Sequence, residues 1–64
     1  MNTLQKNELL KRTARASILS QDAVHYVLIN GNQGKWTENA DLAEIYIRQG
    51  FKLYAKMRNG ELIL

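Results

Sequence analysis

The chain has 64 residues, nine Lys/Arg against six Asp/Glu for a formal net charge of +3, and no Cys or Pro. A chain this short forms one domain, residues 1–64, and buries only about 60% of the surface its unfolded form exposes, so disulfides, metals or dimerisation normally support it. The missing cysteines exclude disulfide staples and thiolate metal sites, which leaves a homodimer as the expected source of extra core. Apolar runs such as Val27-Leu28-Ile29 are too short to span a membrane. The polar N-terminus carries no signal-peptide apolar stretch, so a cytoplasmic location without a membrane partner is expected.

Residues 8–17 fit an amphipathic helix. Leu9, Leu10, Thr13, Ala14, Ala16 and Ser17 share one side, with Glu8, Lys11, Arg12 and Arg15 on the other, and Thr3 or Asn7 suits the N-cap. Ile18 and Leu19 fall opposite that apolar face, which places the end near Ser17. Residues 21–30 are read as a second helix. Ser20 caps it, Asp22 sits in its first turn, Ala23, Val24, Val27 and Leu28 line one face, and Gly31 follows as the left-handed terminator. Val24, Tyr26, Val27 and Ile29 also favour strands, and a short apolar run is not resolved by periodicity alone. Asn30 to Lys35 reads as a loop. A third helix over 38–49 is capped by Thr37, has Ala40, Leu42, Ala43, Tyr46 and Ile47 as its core side, and ends at Gly50; Trp36 reads as a core plug on it. Residues 51–64 alternate as a hairpin around Asn59-Gly60, with Arg58 opposite Glu61, Met57 opposite Leu62, Lys56 opposite Ile63 and Ala55 opposite Leu64. The expected fold is therefore α+β, three helices followed by a C-terminal β-hairpin in a winged-helix or Cro-like arrangement. If 23–30 is a strand, the alternative is α-β-β-α-β-β, presenting a sheet to RNA or to a protein.

Read as two helices joined at 17–20, the stretch Thr13-Ala14-Arg15-Ala16-Ser17-Ile18-Leu19-Ser20-Gln21-Asp22-Ala23-Val24-His25-Tyr26-Val27-Leu28 resembles a helix-turn-helix. Thr13-Ala14-Arg15, Leu19, Gln21, Ala23-Val24 and Gly31, together with Gly50-Phe51-Lys52-Leu53-Tyr54 and the Asn59-Gly60 turn, resemble Cro-type phage repressors over about half the chain. The sequence departs from them in carrying Ile18 at the usual turn glycine and a further helix before the hairpin. Asn7-Glu8-Leu9-Leu10 through Leu19-Ser20 also resembles the helical start of HU-type architectural proteins.

The resemblance implies a small non-enzymatic regulator, dimeric, bound to double-stranded DNA and free of cofactors. Gln21, His25 and Tyr26 would read bases, Lys11, Arg12, Arg15, Lys52, Lys56 and Arg58 would hold phosphates, and Leu62, Ile63 and Leu64 would form the dimer interface. Basic ends around an acidic middle agree with an anionic partner. The competing expectation is a protein-binding module or inhibitor, a phage- or plasmid-type antagonist acting through its sheet face and apolar C-terminal strand. Tyr54 among Lys52, Lys56 and Arg58 fits a base-stacking position on an open sheet face. His25 with Asp22 is too small a ligand set for a metal, neither Ser17 nor Ser20 has the surroundings of a catalytic nucleophile, and Gly31 with Gly34 makes no phosphate loop.

Overall fold

The computed structural model describes residues 1–20 and 22–64, and in it the first helix starts earlier than Thr3 or Asn7 would place it. Asn2 Oδ1 accepts from the Gln5 N–H at 2.8 Å while Gln5 Oε1 accepts from the Asn2 N–H at 3.0 Å, a reciprocal cap that opens α1, Thr3–Leu19. The helix buries Leu9, Thr13 and Ser17, each four residues apart on one line. The two hydroxyls are satisfied within the helix, Thr13 Oγ1 donating to Leu9 O and Ser17 Oγ to Ala14 O, both at 2.8 Å. Small side chains here let the helix lie close to what it covers. The helix runs two residues past Ser17, which leaves Ile18 and Leu19 exposed on the outside.

The second predicted helix is not formed. Ser20 closes α1 instead, its N–H donating to Ala16 O, and the chain continues as β1, His25–Asn30, and β2, Gln33–Thr37. Gly31, expected to terminate a helix, stands in the tight turn between these strands at φ +57°. A short helix, α2, spans Ala40–Arg48; Asn39 rather than Thr37 caps it, accepting from the N–H groups of Asp41 and Leu42. Of its expected core side, Ala43 is buried and Leu42 and Tyr46 half-buried, while Ala40 and Ile47 are exposed. Strand β3, Lys52–Arg58, and β4, Glu61–Leu62, form the hairpin that Asn59-Gly60 announces. Both turn residues have positive φ, +52° and +81°, and Met57 pairs with Leu62 and Arg58 with Glu61.

The sheet is antiparallel throughout, in the order β2-β1-β3-β4. The architecture is thus two helices and four strands, α-β-β-α-β-β, in place of three helices and a hairpin. It agrees with the stated alternative in element order. It differs from it in presentation, because helices lie on both faces of the sheet. Val27 and Leu28 are consecutive and both fully buried, so they point to opposite faces. Val27 packs with Leu9 and Ala55 under α1, and Leu28 with Ala43 and Phe51 under α2. Burial on both sides explains why this segment reads as a continuous apolar run with no strand alternation.

A β-bulge makes this possible. Val27 pairs with Ala55, whereas the next residue, Leu28, pairs with Leu53, so Tyr54 has no counterpart on β1. The extra residue divides the series Phe51, Leu53, Ala55 and Met57, which looks like a single apolar face in sequence, between two cores. Phe51 and Leu53 serve the α2 side and Ala55 the α1 side.

Candidate nucleic-acid interface

The bulge and the two helices sort the predicted site residues onto different sides. Lys11, Arg12 and Arg15 are exposed on the outer surface of α1. Lys52 is opposite Ile29 on β1, on the face that α1 covers, and is also exposed. Lys56 is opposite Tyr26, on the α2 face, with its ammonium 5.8 Å from the centre of that ring, and Arg58 follows two residues on, by alternation on the same side. The six expected phosphate contacts therefore do not form one surface. Four belong with α1 and two with the opposite face.

Base reading by His25 and Tyr26 is overturned with the helix that would have carried them. His25 is 1% exposed on β1. Its Nδ1 lies 3.2 Å from Ala23 O, its Nε2 3.6 Å from Glu38 Oε2, and its ring 5.5 Å from that of Trp36. These contacts make it a packing residue joining β1 to β2 and the entry to α2. Tyr26 is half-buried against the cluster that Leu28 belongs to, with Lys56 over its ring. Gln21 lies outside the described residues. Leu62, Ile63 and Leu64 are exposed side chains at the β4 margin of the sheet.

The two helices differ in charge. α1 carries Lys6, Lys11, Arg12 and Arg15 against Glu8 alone, whereas α2 and its lead-in carry Glu38, Asp41 and Glu44 against Arg48. Among the described residues the ion pair between Lys/Arg and Asp/Glu is Arg48 with Glu44, at 3.5 Å. Among the described residues no carboxylate pairs with a cation of α1. On the other side, Lys35 and Lys56 are placed over the rings of Tyr46 and Tyr26.

Two residues of this surface escaped the sequence reading. Lys6 lies with its ammonium 5.4 Å from the centre of the Tyr54 ring. Trp36, expected as a core plug, is 41% exposed on β2 opposite Val27, which puts it on the α1 face. The spacing of α1 already carried the signal for Lys6. Trp36 gave none, because its place before the Thr37 cap reads as a core plug on a helix. A depression of about 380 Å³ lies between α1 and β2, lined by Leu9, Gly34 and the charged Arg12 and Glu8 among others. No described group of three or more His, Cys, Asp or Glu is placed to hold a metal ion, and no described helix is long and apolar enough to cross a membrane. No protein-family model matches this chain, and neither does any curated protein or solved structure.

Proposed function

We propose that the protein is a non-enzymatic nucleic-acid-binding protein whose phosphate contacts are Lys11, Arg12 and Arg15 on the outer surface of α1, extended by Lys52 at its flank. The carrying observation is the separation of charge between the two helices, with the α1 cations exposed and unpaired by any described carboxylate. Such a surface attracts a polyanion and releases its counterions on binding, an entropic gain that fades as salt rises. An acidic surface of a protein partner offers fewer and less regularly spaced charges than a phosphate backbone, so the competing protein-binding reading has less to recommend it.

The test is a titration of random-sequence labelled oligonucleotides over about 50 to 200 mM salt. Affinity is expected to fall steeply across that range. Replacing Lys11, Arg12 and Arg15 together by Gln should flatten the dependence of log K on log salt by about 2 to 3. Absence of binding at the low-salt end, or an unchanged slope in the triple variant, overturns the reading and favours a protein target.

A further inference from the structure

We infer that the α1 surface prefers single-stranded over double-stranded nucleic acid, because exposed aromatic rings on its two flanks are placed to stack unpaired bases; the inference rests on the phosphate-binding reading of α1. The path of the helix creates these flanks. Near its start, Met1 and Leu9 lie so close to Gly34 on the edge strand β2 that a Cβ there would come within 2.5 to 2.9 Å of their side chains. At its end, Ser17 Oγ accepts from the Gly60 N–H, and Ile18 lies against Gly60 in the β3–β4 turn. α1 thus crosses its sheet face obliquely, from the β2 margin to the β4 margin, and leaves two corners uncovered.

Each corner holds an aromatic ring. Trp36 stands on the β2 side, 41% exposed, with His25 supporting its ring at 5.5 Å. Tyr54 stands on the β3 side, 42% exposed, at the bulge. Lys6 is over Tyr54, and on the other flank Arg12, together with Glu8, lines the depression at Gly34, two residues before Trp36 on β2. Alternating cations and open rings suit a strand whose bases are free, since phosphates go to the cations while bases lie on the rings. Bases in a duplex are already paired and stacked, so the rings contribute nothing there. Sequence preference is then weak, because every base offers a face to stack on.

Trp36 is the only tryptophan, so its emission reports the contact directly. The full chain is titrated at fixed salt with an oligothymidylate or oligouridylate of about 12 nucleotides, and with a duplex of equal length. We expect quenching of Trp36 by the single strands, DNA and RNA alike, and at least tenfold tighter binding than for duplex. Tyr54→Ala should lower single-strand affinity about tenfold and leave duplex affinity unchanged, whereas Tyr54→Phe, which keeps the ring, should retain binding. Circular dichroism of both variants confirms that they are folded, and if Tyr54→Ala is not, the single-strand preference and Trp36 quenching of the unaltered chain decide the matter. Equal affinity for both forms with unaltered Trp36 emission overturns the stacking inference and leaves the phosphate reading standing. Loss of single-strand binding in a folded Tyr54→Phe also overturns it, since the ring is then not what is used. Absence of binding to every oligonucleotide at low salt overturns both and directs attention to a protein partner.

Discussion

The backbone N–H of Gly60 donates to Ser17 Oγ at 2.8 Å, joining the last turn of α1 to the β3–β4 turn across 43 residues of sequence. Ser17 is fully buried, and its hydroxyl also donates to Ala14 O. A single side chain therefore connects helix backbone to turn backbone. Ser17→Ala should remove the acceptor and leave the Gly60 N–H without a partner, at a cost of about 1 to 3 kcal/mol. Urea unfolding monitored by Trp36 fluorescence measures this; an unchanged midpoint would mean that water replaces the hydroxyl freely.

Gly60 faces a second constraint. It holds φ +81°, and a Cβ there would lie 2.9 Å from Ile18 Cδ1 and Cγ1. Gly60→Ala is expected to destabilise by about 1 to 2 kcal/mol, from backbone strain together with crowding. Adding Ile18→Ala relieves the crowding and not the strain, so the double variant should recover only part of the loss. Full recovery would show that the turn tolerates the side chain and that Ile18 alone was the obstacle.

His25 provides a test of structural against recognition roles. Its ring is fully enclosed between β1, Trp36 and Glu38, so His25→Ala should cost about 2 kcal/mol or more in stability. Preference among oligonucleotide sequences should stay the same, because the enclosed ring reads no base. A changed preference among oligonucleotide sequences, measured by competition at a temperature where the variant is folded, would return His25 to the binding surface.

The division of cations between faces gives a comparison within one experiment. Arg15→Gln on α1 should lower the salt slope by nearly one phosphate contact, about 0.7 on a single strand. Lys56→Gln and Arg58→Gln, on the α2 face, should leave the slope unchanged. Equal effects from both sets would mean that the strand wraps both sides of the sheet.

Much of the hairpin was legible because its determinants are local. Asn59-Gly60 accepts positive φ at both positions, and a two-residue turn leaves one register for Met57 with Leu62 and Arg58 with Glu61. The course of α1 was legible in part, since its buried line follows helical periodicity; its true start depended on reading Asn2 and Gln5 as a pair. Residues 25–30 were misread for a definite reason. Ser20, Asp22 and Gly31 imitate the punctuation of a helix, and Val27-Leu28 lacks the alternation that marks a strand with one wet face. The expected site suffered the same way: Lys11, Arg12 and Arg15 are exposed on the helix side that periodicity gives them, while the exposure of Trp36 was hidden along with β2, and His25 and Tyr26 were assigned to a helix surface that does not exist.

Taken alone, the chain of residues determined a basic first helix, an acidic helix within 38–49 and a type I′ hairpin, each through contacts spanning a few positions. Only the tertiary structure decided that Val27 and Leu28 would be buried from opposite sides, because that needs a helix on each face and an additional residue, Tyr54, to turn Leu53 and Ala55 apart. Burial from both sides depends on groups distant in sequence, and no local period records it.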